Sequence, residues 1–289
     1  MFDFKYHIVS LVAVFLALGI GVVMGSMSAE RGVVSEQERA LIATMEKDFE
    51  KLRSSNAELN SQLAVATRFQ EGAIALLTEG KLAQQNVAVI VTGDVDATTL
   101  KNLKASLEQA GATQQSVTTF SGKLGLDNKN TAEKVAAIVG GNPQGQAATR
   151  NKALEETARW IADGLNPKGI NDLVDAGFMQ TSGTFDKTVQ AVIVIGGSQN
   201  GGKNLPPEQL DEQIIKTLKQ LPVTLAGVET SNVKTSYMKT YQGLNINTVD
   251  NIDKASGQIA VVYILAGQAG DFGEKATADT LMPEPTKNQ

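Results

Sequence analysis

The sequence predicts a mixed α/β protein: an N-terminal transmembrane helix and a parallel coiled coil, followed by a Rossmann-like or flavodoxin-like parallel-sheet domain. Three observations carry that expectation. Residues 8–27, "IVSLVAVFLALGIGVVMGSM", carry no charge. Apolar residues then recur with heptad spacing from Ile42 to Leu77. Beyond Gly80, β-branched runs alternate with helical stretches. The expected parts are 1–29 (anchor with a short cytoplasmic flank), 30–80 (dimerisation helix), 81–280 (distal domain) and 281–289 (polar tail).

At about 1.5 Å of rise each, the uncharged residues cover roughly 30 Å, the thickness of a bilayer's hydrocarbon core. The apolar part of a signal peptide is shorter, about 7–15 residues behind a basic start. Here the start is "MFDFKYH", with one Lys offset by one Asp. A cleavage-like stretch at residues 26–29 keeps a signal peptide as the alternative, but length favours an uncleaved single-pass anchor. Lys5 and the free amine favour a cytoplasmic N-terminus, which places the bulk of the chain outside the cytoplasmic membrane. Ala13, Ala17, Gly21 and Gly25 recur every four residues, and "GVVMG" is a GxxxG match. Such a stripe lets two membrane helices approach closely; the alternative is that Ala and Gly are simply common in membrane helices.

Along residues 30–80, Ile42, Phe49, Asn56 and Leu63 recur every seven residues, continued by Gln70 and Leu77. Met45, Leu52 and Leu59, continued by Ala66 and Ala73, form the companion set offset by three. These are the a and d positions of a coiled coil about five heptads long, roughly 54 Å. Asn at an a position fixes register and favours two strands. Asp48 at g and Arg53 at the next e suit a parallel dimer. The alternative is one amphipathic helix lying on the body's own surface. Two chains rooted in one membrane must run parallel, which favours the coiled coil.

In the distal part, "NVAVIV" (86–91), "QSVTTF" (115–120), "AVIVIGG" (191–197), "PVTLAGVE" and "NINTVD" read as five strands. Between the first two lies a helix capped by Asp96 or Thr98, carrying Leu100, Leu103 and Leu107 and stopped at Gly111. Further helices are expected near 131–139, 149–163, 207–221 and 256–266, the last very apolar. Alternation of this kind implies a parallel sheet covered on both faces.

Composition narrows the chemistry. The chain has 26 basic and 31 acidic residues, a net charge of −5, and no basic run in its body, which argues against nucleic acid. It has no Cys, and its one histidine, His7, precedes the apolar run. Thiolate catalysis, disulfides and most His-based chemistry are therefore closed to the folded body. "GSQNGGKN" (197–204) satisfies GxxxxGK, but Asn204 replaces the Ser or Thr that holds Mg²⁺, and two prolines follow. A solvated glycine loop is the simpler reading. Thr248, Asp250 and Asn251 sit where parallel sheets bind ligands and are the candidate binding edge; an Asx-turn before a helix capped by Asp253 or Ser256 is the alternative. Met24 and Met27 form an MxxM pair whose thioethers suit Cu(I). No catalytic residue, no resident cofactor and no enzyme activity are expected.

Several segments carry a resemblance. "YHIVSLVAVFLALGIGVVMGS", "LLTEGKLAQQNVAVIV" with "LEQAGA", and "NTVDNIDKASGQIAVVYILAGQAGDFG" with "LMP" are similar to the MctB-type copper transport proteins of actinobacteria. The resemblance implies an envelope protein linked to copper efflux. In its SteB-like branch it implies a role in cell separation, with a membrane partner called SteA. Residues 120–190 carry no part of it. Joined to the residue reading, the expectation is a parallel homodimeric envelope scaffold for a membrane or envelope protein partner, with copper homeostasis through Met24 and Met27 as the alternative.

Overall fold

The β-branched runs become strands where expected, but the sheet they build has seven members rather than five. The structure is a computed structural model; it describes residues 4–284 except 121, 123, 141–144, 200–204 and 208, and describes only the backbone at 4–6, 28–35 and 71. The chain divides into two compact units, Met1–Arg68 and Phe69–Gln289.

The first unit consists of the helix α1 (Phe4–Thr78), which extends past the unit's end. Its backbone is helical without a break through the cleavage-like stretch at 26–29. Residues His7–Met27 are long and apolar enough to cross a membrane.

The second unit is a mixed α/β fold. In chain order, after α1, its elements are β1 (Asn86–Val91), α2 (Ala97–Gln109), β2 (Thr113–Thr119), α3 (Lys129–Val139), α4 (Gln146–Asp163), α5 (Pro167–Asp175) and β3 (Gln180–Gly183). They continue with β4 (Ala191–Ile195), α6 (Asp211–Leu218), β5 (Thr224–Val228), α7 (Met238–Gly243), β6 (Asn247–Val249), α8 (Ala255–Leu265) and β7 (Asp271–Phe272). The sheet order is β3-β2-β1-β4-β5-β6-β7, and every pairing is parallel except β2 with β3.

Strands β1 and β4 lie at the centre, paired in register from Val87↔Ala191 to Val91↔Ile195. Val87, Val89 and Val91 pack with α2 and α8, while Ala88 and Ile90 pack with helices α3 to α7. Both faces are thus covered, as the unbroken apolar strands require. Helix α8 lacks a polar face for a related reason. Ala260, Val261 and Ile264 join the core under the sheet, while Ile259 and Tyr263 meet Ile74 and Leu77 from the last turns of α1. A helix buried on both sides reads as apolar all round. Lys81 adds its ammonium 4.4 Å from the Tyr263 ring centroid. Leu77, the last heptad position counted from sequence, is therefore half-buried within the chain's own second unit.

The additional strands explain themselves locally. Strand β3, "QTSG", has no apolar pattern and forms because Gly183 (φ 88°) backs onto β2; a Cβ there would lie 2.3 Å from the Gln115 carbonyl oxygen. Strand β7 has two residues, paired to Thr248 and Val249. Helix α6 starts at Asp211 rather than at Pro207, since Pro206 and Pro207 instead accept turn hydrogen bonds from Gln209 and Glu212. Helix α8 is preceded by Lys254, with no side-chain cap from Asp253 or Ser256.

Candidate functional site

In open parallel sheets, ligands bind outside the carboxyl ends of the strands, where neighbouring crossovers run in opposite directions. Here that point lies between β1, which leads to β2, and β4, which leads to β5 on the other side. The polar groups gathered there come from the loops after β1, β4, β5, β6 and β7.

At this point the described starts of the loops after β1 and β4 are joined through backbone. Thr92 and Gly93 both donate their N–H to Ile195 O, at 2.9 and 3.0 Å, and Asp94 N–H donates to Gly197 O at 2.9 Å. A Cβ on Gly93 would lie 2.2 Å from Gly197 O, so only glycine admits this approach. Asp94 accepts from Gln199 N–H at 2.7 Å and from the Ser198 hydroxyl at 3.3 Å, fastening the two loops together. Below them lies the buried carboxylate of Asp211, in the first turn of α6. It accepts from the Thr92 hydroxyl at 2.5 Å and from the Tyr241 hydroxyl. Burial, and then the Asp211 charge, push the Tyr241 pKa well above its ordinary value, so the phenol stays protonated and donates.

Further along the edge, Glu229 follows β5 with 0% exposure. It accepts from the Ser236 hydroxyl at 2.6 Å, from Tyr237 N–H at 2.8 Å and from the Lys275 ammonium at 2.6 Å. Lys275 also donates to Thr230 O at 3.2 Å. A buried carboxylate with three donors, one of them cationic, is satisfied. Asp250, after β6, accepts from the backbone N–H groups of Glu274 and Lys275 at 2.8 and 2.9 Å. Asp253 accepts from both the N–H and the hydroxyl of Ser231, each at 2.6 Å. These carboxylates fasten the loops that follow the strands.

The expected binding edge takes a different role. Thr248, Asp250 and Asn251 are all buried. The Thr248 hydroxyl donates to Asp271 at 2.6 Å, and the Asn251 amide donates to the Ser256 hydroxyl at 3.1 Å. These hydrogen bonds join β6 to β7 and to the start of α8, while Asn251 Oδ1 is buried without a hydrogen-bond partner among the described residues. In the glycine loop, Gly201, Gly202, Lys203 and Asn204 lie outside the described residues. Sequence reasoning missed Glu229, Lys275, Asp211 and Tyr241. The first carried a signal, an acidic residue directly after an apolar strand in "TLAGVE"; the others are joined only by tertiary structure. Among the described residues, no group of three or more His, Cys, Asp or Glu is placed to hold a metal ion.

The residues named on α1 lie on the helix surface. Ala13 and Ala17 are exposed, and Gly21 and Gly25 have nothing within 4 Å of a built Cβ. Met24 and Met27 are exposed at 68% and 57%. Of the seam positions, Ile42, Met45, Phe49, Leu52, Leu59 and Leu63 are all at least half exposed, and Asn56 is exposed among them.

A search of curated proteins finds no match to the chain. Residues 1–283 match the sequence model of one family, described as copper transport outer membrane protein, MctB. With almost its whole length matched, from the apolar helix to the loop beyond β7, the chain belongs to the MctB family.

Proposed function

We propose that the chain is a non-enzymatic, single-pass envelope scaffold. In this reading residues 7–27 anchor it, α1 pairs in parallel with a second copy, and a Rossmann-like sheet domain outside the cytoplasmic membrane binds a protein partner in cell separation. The observation that carries it is the apolar seam from Ile42 to Leu63, exposed to water along a helix continuous with the membrane-length segment. An apolar stripe of this length signals a partner surface, and its heptad spacing fits a second helix of the same kind. Asn56 within the seam supports two strands over three or four.

The absence of cysteine makes the test direct. In the full-length chain reconstituted in nanodiscs, Leu59→Cys, at a d position, forms a disulfide-linked dimer under mild oxidation. Ser61→Cys, on the outer face of the helix, does not, because its partner lies beyond disulfide reach. Equal cross-linking at both positions, or none at Leu59→Cys, overturns parallel pairing.

A second reading, copper homeostasis, is favoured by the family description and by Met24 and Met27, one turn apart and both exposed. Two paired chains would offer four thioethers to Cu(I) as cargo. Stoichiometric Cu(I) binding by the full-length chain, abolished by Met24→Leu with Met27→Leu, supports it. Binding unchanged in that variant removes the site.

A further inference from the structure

We propose that the outer edge of β3 takes an extended acidic segment of a protein partner as an eighth strand, with Lys101 and Lys104 meeting its carboxylates. This deepens the scaffold reading by assigning where and how the partner is held.

Strand β3 ends the sheet on its side, paired to β2 along one edge only. Thr184 N–H donates inward to Gln115 O at 2.9 Å. Backbone groups alternate direction along a strand, so those of Gln180 and Ser182 also face β2, while those of Thr181 and Gly183 face outward. Exposed edges are ordinarily blunted by Lys, Pro, a bulge or a very short strand, and β3 has only the last of these, being four residues long. The sequence "QTSG" has neither residue, and its pairing with β2 runs without a register break. Nor is the strand loosely held: the Gln115 amide donates to the Thr184 hydroxyl at 2.5 Å, and Gly183 sits hard against β2.

Beside this edge lies a groove of about 520 Å³. The register pairs Val117 with Ser182 and Thr119 with Gln180, placing these four on one face as its floor. Helix α2 forms the wall and contributes Lys101 and Lys104. Every charged residue lining the groove is therefore a lysine, in a chain of net charge −5. Lys101 makes no ion pair among the described residues. Lys104 meets Glu108 at 3.8 Å with both side chains more than half exposed, a weak pair that a ligand can displace.

Strand addition fits this combination. Backbone hydrogen bonds supply affinity, and alternate side chains supply specificity. Side chains two apart on a strand are separated by roughly 7 Å, and helix positions three apart by roughly 5–6 Å. Acidic residues at alternate positions of the added strand thus come opposite the two lysines. A phosphate or a glycan would engage the lysines but leave the outward ladder of β3 unused, so a peptide is the occupant that uses both features.

The test uses the full-length chain in nanodiscs and a fluorescein-labelled peptide, Thr-Glu-Val-Glu-Val-Glu-Thr, read by anisotropy. The expected result is saturable binding that weakens at least about tenfold in Lys101→Glu with Lys104→Glu. Thr181→Pro, which removes one outward N–H, is expected to weaken it comparably, with melting followed to confirm that the variant folds. Alternate N-methylation of the peptide abolishes binding without altering the protein. Lys129→Glu, a 90% exposed lysine on α3, leaves binding unchanged. Full retention of affinity by the double lysine variant, or by the N-methylated peptide, overturns the proposal. So does failure of the wild-type chain to bind, a result that leaves the Leu59→Cys cross-linking test of pairing untouched.

Discussion

The two units of this chain handle opposite kinds of surface. In Phe69–Gln289, carboxylates lie inside and find their donors within the chain: Glu229 has Lys275, Ser236 and Tyr237, and Asp250 has two backbone N–H groups. In Met1–Arg68, Phe49 and Leu52 lie outside with more than 60% of their surface in contact with solvent. The carboxylates of the sheet unit are paired within one chain, whereas the apolar positions of the helical unit from Ile42 to Leu63 are exposed. The two units therefore fail in different ways. Damage to the sheet unit should be read in the melting of that unit, at any concentration. Damage to the seam should be read in assembly, and should depend on concentration. Trp160, the one tryptophan, packs against the core of the sheet unit and so reports that unit separately.

The largest expected effect is Glu229→Ala. It strands the Lys275 ammonium, the Ser236 hydroxyl and the Tyr237 N–H at once, and breaking a buried pair from one side costs about 3–5 kcal/mol. Lys275 keeps 24% of its side-chain surface, which puts the cost near the lower figure. Denaturant midpoints from Trp160 fluorescence measure it; a loss below about 1 kcal/mol would mean that the network behaves like a surface pair. Next comes Gly93→Ala, with a cost of about 3 kcal/mol. The atoms its Cβ would strike, Gly197 O at 2.2 Å and Gly196 C at 2.4 Å, are backbone and cannot rotate away. If Gly93→Ala melts within a degree or two of the parent, the loops after β1 and β4 separate more easily than their hydrogen bonds imply.

Asn56→Leu breaks the comparison from the other side. A buried polar residue at an a position trades stability for register, so the substitution strengthens helix pairing, by about 1–2 kcal/mol, while the Trp160 transition stays where it was. Light scattering on the full-length chain then shows a mixture of oligomers in place of the proposed dimer. A single unchanged dimer with weaker pairing would mean that Asn56 lies off the seam and that the heptad register is misplaced.

The membrane-length helix and the central strands β1 and β4 were legible because each repeats one local rule over many residues: apolar throughout, or β-branched and unbroken. Strand β3 was not, since "QTSG" carries no period and its conformation depends on β2. The candidate site was the least legible. Thr248, Asp250 and Asn251 announce polarity, yet only the closing loop after β7 decides that this polarity is buried. Asp211 and Tyr241 are 30 residues apart, and no spacing rule links them. Leu77 has the same spacing as Ile42 and Phe49 yet packs beside Ile259 and Tyr263 of α8, a contact that spacing alone does not indicate.

The smallest effect tests whether a local rule also holds energetically. Asp96 precedes α2 and accepts from the backbone N–H of Thr99 at 2.9 Å and from its hydroxyl at 2.8 Å. The Thr99 N–H, and then the hydroxyl, hold its carboxyl below the ordinary value of 3.8. A carboxyl whose pKa is depressed by folding contributes stability above its unfolded value, and loses that contribution as pH falls through its folded one. Asp96→Ala removes the cap altogether and costs about 1 kcal/mol at neutral pH. Asp96→Asn keeps an acceptor for the Thr99 N–H and loses only the charge-dependent part. The gap between wild type and Asp96→Asn should therefore be steady from pH 7 down to about 4 and shrink below that, while the gap between Asp96→Asn and Asp96→Ala stays constant. Trp160-detected melting across that range separates the two contributions. A wild-type advantage over Asp96→Asn that persists unchanged into acid would show that the cap acts through geometry alone, with no contribution from the charge at the N-terminus of α2.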